Sequence, residues 1–439
     1  MTPAARAQAV IELFTECSRS TKPADSLLGG WLRARRYIGA KDRGEISRQF
    51  WDIWRHWSRL HWRMEHAPFS VALHPQRLLY LAWLAMVEKT PIDRLPHIFD
   101  GSRFAPMYLE QPEVEAFQFM AKQQLNSTTI PSRIRLECPE WAYPMLQQEF
   151  GQRLESELEA LISAAPTDIR VNPLMSTREK VMQELENSGF TGKATAFSPY
   201  GIRLNGRFPI LTHQLYQNGA IEIQDESSQI AALLVQADSS MRVLDLCAGA
   251  GGKTLMLAAA MENKGTLVAT DLLEGRLKRA AERLRRAGVH NTQTKPLDAA
   301  GRDWLKRQYG RFDRVMVDAP CSGSGTWRRN PDMRWRGLAP QLETLYNEQK
   351  ELLQLAQKLV KPGGRLIYST CSLFTQENEQ QVEALLANNP EFQIIPARQL
   401  WYGLNLGEAP ASVGQYLRLS PALSQTDGFF AAVLERKNP

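Results

Sequence analysis

Two cysteines carry the first chemical signal in this chain. Cys321 closes Asp318-Ala319-Pro320-Cys321, ahead of a flexible Ser-Gly-Ser-Gly, and Cys371 sits in Ser369-Thr370-Cys371-Ser372. Each ends an apolar run with the composition of a buried strand, FDRVMVDAP and RLIYST. One cysteine at a strand end is more often a small core residue. Two at the ends of successive strands, above a glycine-rich loop, call for thiol chemistry. That loop is Cys247-Ala248-Gly249-Ala250-Gly251-Gly252-Lys253-Thr254, after the apolar RVLDL. Its glycines let the backbone approach a ligand and open a helix. Asp271 ends the next apolar run, TLVATD, where a carboxylate accepts hydrogen bonds from ribose hydroxyls. The third glycine of the dinucleotide pattern is missing, since Thr254 stands there. Asp298, in KPLDA, is either an adenine neighbour or a solvent-exposed turn residue.

Hydride transfer has no use for two thiols, whereas methylation at carbon 5 of cytosine does. That carbon is too weak a nucleophile to take a methyl group from a sulfonium unaided. A thiolate added at carbon 6 pushes electron density onto carbon 5. Removing the carbon-5 proton and expelling the thiolate then restores the aromatic ring. An acid must meet the charge that grows at N3, and Asp318 adjoins the site. The base must also leave its stack, which favours single-stranded RNA.

The elements that would position these groups alternate. After about residue 218, apolar runs and helical patterns follow one another to FFAAVLER, the pattern of a parallel, doubly wound sheet. Ligands of such sheets bind at the carboxyl ends of the strands. Residues 129–217 read as a small α/β unit, with helical stretches, a short strand IRVNPL, the helix TREKVMQELENSG and a strand around GIRLNG. Residues 1–128 read as helical. Within them, FWDIWRHWSRLHWRM lines up Phe50, Trp54, Trp57 and His61 on one helix face, with Arg55, Arg59 and Arg63 beside it. That stripe is either a solvated flank of an aromatic core face or, with Arg33, Arg35 and Arg36, a set of phosphate contacts.

The 439 residues suggest about three domains. No stretch approaches the roughly 18 uncharged apolar residues of a membrane span. The N-terminus reads as an amphipathic helix rather than a secretory signal, so a soluble, cytoplasmic protein is expected. Five cysteines without CxxC spacing argue against a disulfide framework or a zinc site, and no metal is expected. The net charge is +6, and residues 301–336 hold nine Lys or Arg against four Asp, which fits an anionic partner. The loop TWRRNPDMRWR, with Arg328, Arg329, Arg334 and Arg336, is either an RNA grip of basic and aromatic residues or a basic surface loop.

LDLCAGAGGKT, DAPCSGSGTWRRNPD and STCSLFTQEN together resemble the Nop/Sun family of RNA cytosine-5 methyltransferases. QDESSQ, residues 224–229, resembles the family segment ahead of the catalytic domain, and IRVNPL its small RNA-binding domain. ARAQAV and KDRGEISRQFWDIWRHW resemble the NusB-like helical domain of the bacterial ribosomal RNA members. The resemblance implies a Rossmann-like class I methyltransferase domain using S-adenosyl-L-methionine, acting on RNA, above all ribosomal RNA, as a monomer. It implies cofactor contacts from Cys247 to Lys253 and at Asp271, Asp298 and Asp318. It makes Cys371 the nucleophile and Cys321 the residue that releases product. One departure is Ala250, where the loop commonly carries proline. The alternatives are a tRNA target, a cytosine-5 DNA enzyme with Cys321 as nucleophile, a catalytically silent RNA-binding assembly factor, and a nicotinamide dehydrogenase. The second cysteine and the NusB-like start argue against the DNA enzyme.

Overall fold

The computed structural model describes residues 1–67, 74–206, 208–335 and 341–438. They form two compact units, Met1–Ala164 with the segment that begins at Trp327, and Ala165–Thr326 with the C-terminal part. Among the described residues no helix is long and apolar enough to cross a membrane.

The first unit is helical. Thr2 caps its first helix, Pro3–Ser18, by accepting from Ala5 N at 3.1 Å. Helix Pro75–Met86 is apolar on all sides and buried continuously from Leu78, so it forms the centre of the unit. The aromatic segment does not run as one helix. It breaks at His56, between Ala40–Arg55 and Trp57–Glu65. The aromatic face survives the break: Trp54 stacks on Trp57 at 4.2 Å between centroids, and Trp57 meets His61 at 4.0 Å.

The arginines beside it turn inward. Arg59 is 5% exposed, and its Nε donates at 2.8 Å to Glu137, a carboxylate with no exposure at all. Backbone Ser58 N and Arg59 N donate to the same carboxylate. Arg63 Nη2 donates to Gln124 O at 2.5 Å. These two arginines are therefore structural ties and not phosphate contacts. The same correction applies to part of the basic loop. Arg334 is buried, stacks over Trp327, and clasps Glu137 O at 3.1 Å and Leu161 O at 2.6 Å. Arg328 is buried as well and Arg329 half-buried, while Arg336 lies outside the described residues. Arg328 and Arg334 are thus buried rather than displayed at the surface, and Arg334 gives two donors to backbone carbonyls, which counts against a surface phosphate grip.

Helices Tyr143–Phe150 and Leu154–Ile162 pack with the helical unit, which extends to Ala164. The clasp of Glu137 and Leu161 by Arg59 and Arg334 contributes to that packing.

The second unit holds two sheets. β1 (Asp168–Val171), β2 (Gly192–Ala194), β3 (Gly201–Leu204) and β4 (Ile221–Ile223) pair antiparallel in the order β2-β3-β1-β4. The large sheet contains β5 (Arg242–Asp245), β6 (Thr266–Asp271), β7 (Thr292–Pro296), β8 (Phe312–Asp318), β9 (Val360–Thr370), β10 (Phe392–Ile395), β11 (Leu417–Leu419) and β12 (Phe429–Arg436). Its order is β10-β12-β9-β8-β5-β6-β7, with β11 against β12. β5 to β9 are parallel to their neighbours, and β12 runs antiparallel on β9. The order reverses at β5, between β6 and β8, which opens a crevice at the strand ends. This is the Rossmann-like architecture expected from the alternation of elements.

The two sheets are joined by the QDESSQ segment. Glu226 is buried and accepts Phe197 N at 2.6 Å and Ser198 N at 2.7 Å. Asp225 accepts Asp427 N at 3.1 Å, and Gln229 receives Ser198 Oγ at 2.7 Å.

Removing Arg59 would leave Glu137 buried without its cation. Burial already pushes this carboxyl up, and Arg59 opposes that. We expect Arg59→Ala to lose roughly 3–5 kcal/mol near neutral pH. A carboxyl whose folded pKa is raised is tolerated while protonated and penalised as pH rises through that pKa. The deficit relative to wild type should therefore grow in thermal melts as pH rises above the ordinary carboxylate range. A loss that stays constant with pH would show that Glu137 is not the cause.

Candidate active site

A crevice of about 940 Å³ lies at the ends of β5, β6 and β8. Its floor is the glycine-rich turn into helix Gly252–Ala260. Gly249 and Gly251 have φ of 56° and 81°, the left-handed region that glycine enters without strain. A Cβ on Gly249 would meet nothing within 4 Å, so the turn offers its bare backbone to the cavity. A Cβ on Gly251 would meet Ala280 Cβ at 3.0 Å, so that glycine serves close packing of the next helix.

Asp271 braces the turn from the end of β6. Its Oδ2 accepts Gly249 N at 2.9 Å and its Oδ1 accepts Leu273 N at 2.8 Å. Each oxygen keeps a lone pair for a ligand hydroxyl. Leu272, Leu273, Leu297, Leu352 and Leu355 supply an apolar wall, the surface a purine ring requires. Cys247, Ala248, Ala250, Gly252, Lys253 and Asp318 also line the crevice. Asp298 does not. Its Oδ1 accepts Gly301 N at 2.8 Å and caps helix Ala299–Lys306, while its neighbours Leu297 and Arg302 reach the cavity.

Asp245, at the end of β5, went unmarked in the motif reading. Its Oδ2 accepts Thr254 Oγ1 at 2.6 Å, but its Oδ1 is buried and has no partner among the described residues. Burial, then the charge of Asp318, push this carboxyl up to about 7, against the pull of Thr254 and Lys253. An orphaned carboxylate oxygen lining a crevice matches the cationic end of S-adenosylmethionine, and the cavity fits that cofactor. The signal in the sequence was one aspartate inside the apolar run RVLDL.

The small sheet holds this floor from below. Arg170 on β1 is buried and donates to Gly252 O at 2.7 Å and to Gln224. Glu222 on β4 is 2% exposed and pairs with Arg283 and Arg286, and Arg283 Nη1 donates to Ala250 O at 2.7 Å. The turn that lacks the usual proline at Ala250 is fixed by this carbonyl contact. No local motif announces these buttresses, because their members are up to 82 residues apart.

Beyond Asp318 the crevice gives way to the thiols. Lys253 Nζ contacts Asp318 Oδ2 at 2.6 Å, and Ser369 Oγ donates to Oδ1 at 3.0 Å. Cys321 Sγ and Cys371 Sγ stand 3.5 Å apart. The contact to Cys371 and then burial push the Cys321 thiol well up. Either sulfur can be the donor in this contact, so the two thiols form one coupled pair.

Asp245 gives the crevice a pH dependence. A cationic ligand needs the carboxylate, which forms as pH rises through about 7. Calorimetry should show S-adenosylmethionine affinity weakening below that value, and Asp245→Asn should be weaker and flat. A wild-type profile without a step there would remove Asp245 from cofactor binding.

Comparison with known proteins agrees with this geometry. Residues 231–435 match the family described as 16S rRNA methyltransferase RsmB/F, and residues 138–211 match the RsmF/B-like ferredoxin-like domain. The chain is 32% identical over 301 residues to ribosomal RNA small subunit methyltransferase B of Klebsiella pneumoniae, covering 68% of this chain and 66% of that protein. It is 31% identical over 322 residues to the protein of the same name from Citrobacter koseri, covering 73% and 72%. The first curated relatives are thus matched over about two thirds of their length. Among solved structures, PH0851 aligns with a TM-score of 0.80 at 26% identity over 99% of both chains. A methyltransferase homolog protein from Pyrococcus horikoshii aligns at 0.58 and 29% identity, over 70% of this chain and 97% of that one. S-adenosylmethionine is the cofactor of this methyltransferase, and the crevice fits it. The chain belongs to the RsmB/F family of 16S rRNA methyltransferases.

Proposed function

We propose that this protein methylates carbon 5 of a cytosine in RNA, with small-subunit ribosomal RNA as the target, through a covalent bond between Cys371 and carbon 6. The observation that carries this reading is the pair of thiols 3.5 Å apart beside the carboxylate that closes the cofactor crevice. The names of its relatives support ribosomal RNA as the substrate.

Held by the glycine turn, Asp271 and Asp245, S-adenosylmethionine supplies the electrophilic methyl group that carbon 5 receives. Cys371 Sγ, as a thiolate, bonds to carbon 6 of a flipped-out cytosine. The electron pair displaced from the ring double bond moves to carbon 5, and charge grows at N3. Asp318 meets that charge as half of an ion pair, so the proton for N3 is held between Asp318 and the Lys253 ammonium. After methyl transfer Cys321, its own thiol proton given up to water, takes the carbon-5 proton as a thiolate. The carbon–hydrogen electron pair re-forms the ring double bond, the carbon–sulfur bond breaks to return Cys371 as thiolate, and the N3 proton goes back to the Asp318–Lys253 pair.

The contact with Cys371 is the largest cause that raises the Cys321 thiol. Once Cys371 is a thioether that contact is gone and Cys321 gives up its proton more readily, which supports Cys321 as the base.

Two measurements test the reading. With labelled ribosomal RNA on a denaturing gel, Cys321→Ala should accumulate a methylated protein–RNA adduct, and Cys371→Ala should form none. An adduct in Cys371→Ala would reverse the roles. In the RNA-free protein, the pH midpoint for alkylation of Cys321 should move down in Cys371→Ala, because the partner that raises it is gone. A midpoint that stays in place would show the thiols to be uncoupled.

A further inference from the structure

The residues that follow the two cysteines share one carboxylate. Glu377 lies in the same STCSLFTQEN stretch as Cys371 and is fully buried. Its Oε1 accepts Ser322 N at 2.8 Å and Gln349 Nε2 at 3.0 Å. Its Oε2 accepts the hydroxyls of Ser322 and Ser372. Two donors on each oxygen satisfy an ionised carboxylate in a place where an unpaired one would be very costly. Ser322 directly follows Cys321, and Ser372 directly follows Cys371.

The surrounding contacts reinforce this junction. Gln349 Nε2 also donates to Pro320 O at 2.9 Å, on the other side of Cys321. Asn378 Nδ2 donates to Ser372 O at 3.0 Å, and Tyr368 Oη to Glu377 O at 2.6 Å. Gly325 N donates to Cys371 O at 2.9 Å, and Leu373 N to Ser324 Oγ at 2.8 Å. Glu377 is absent from the lining of the cofactor crevice.

We infer that Glu377 is a positioning residue that clamps the Cys321 and Cys371 turns into the register at which their thiols meet. The inference rests on the two-cysteine reading above. Glu377 touches neither RNA nor cofactor in that scheme; it holds the turns through Ser322, Ser372 and Gln349, and its charge also raises the Cys321 thiol. A thiol displaced by about 1 Å from its line of attack costs on the order of 100-fold in rate. S-adenosylmethionine binding, built from other residues, should not change.

The test compares wild type with Glu377→Ala, Glu377→Gln and the Ser322→Ala/Ser372→Ala pair, by single-turnover methylation of ribosomal RNA and by calorimetry with S-adenosylmethionine. Glu377→Ala should lose about 100-fold in the methyl-transfer rate and keep cofactor affinity within about twofold. Glu377→Gln should recover most of the rate. Its amide oxygen still accepts Ser322 N and Gln349 Nε2, and its amide donates to serine hydroxyls that can rotate. Adding Glu377→Ala to the double serine variant should cost little more than either alone, since both cut the same clamp. A wild-type rate in Glu377→Ala would overturn the inference. So would a Glu377→Gln no better than Glu377→Ala, or a parallel loss of cofactor affinity. If Glu377→Ala does not fold, the serine pair decides, and an unchanged rate there also overturns it. Failure of the two-cysteine reading is seen separately, as an adduct that persists in Cys371→Ala with Glu377 intact.

Discussion

Parallel pairing of β8 with β9, with Asp318 opposite Ser369, is the constraint on which the active site depends. Their paired centres, Val315–Val317 and Leu366–Tyr368, are buried and apolar, so a slip in register would disrupt the core on either side of the sheet. Fixing that pair fixes where each chain leaves the sheet. Three residues beyond Asp318 comes Cys321, and two beyond Ser369 comes Cys371. The hydrogen bond from Ser369 Oγ to Asp318 holds the last rung of the ladder at the mouth of the crevice. The chemistry of the thiols is thus inherited from strand pairing, and the junction at Glu377 refines what the sheet has already brought close.

The cofactor floor depends on a second element, and it is not part of the large sheet. Arg170 and the Glu222–Arg283 pair reach from the small sheet to the carbonyls of Gly252 and Ala250. Carbonyls of a tight turn need donors, and buried arginines can supply several at fixed angles. The small α/β part is therefore more than an attachment to the catalytic sheet, since it completes the turn on which the cofactor rests. The crevice above collects three carboxylates, Asp245, Asp271 and Asp318, each in a different state. Asp271 holds one backbone donor on each oxygen, Asp318 is paired with Lys253, and Asp245 is left half-satisfied. A cationic ligand would supply the counter-charge that Asp245 lacks.

In the helical unit, arginines do the work that apolar side chains do elsewhere. Arg59 and Arg334 tie a helix, a turn and a distant segment of chain to Glu137 and Leu161. Such ties are costly to break, because each leaves a buried charge behind. Basic character in sequence is therefore a poor guide to surface here. The stretch from Trp327 to Trp335 is rich in arginine and aromatic residues, and it is packed into that unit's core.

The sequence by itself determined the kinds of element and marked the groups that gather at the strand ends. Apolar runs ending in glycine, aspartate or cysteine announce strand ends, and strand ends of a doubly wound sheet are where ligands bind. The glycine turn, Asp271, Asp318 and both thiols were legible for that reason, as was the Rossmann-like class. Only the tertiary structure decided which charges face the solvent and which are buried. Helical periodicity marks a face for Arg59 and Arg63 without saying what covers it, and Glu137 comes from 78 residues away. The same holds for Asp298, which a helix start claims as its cap, and for Asp245, whose burial depends on strands on both sides of β5. Glu377 shows the division most clearly. Its position beside Cys371 was visible in the chain, but its second partner, Ser322, lies 55 residues away, and only folding brings the two together.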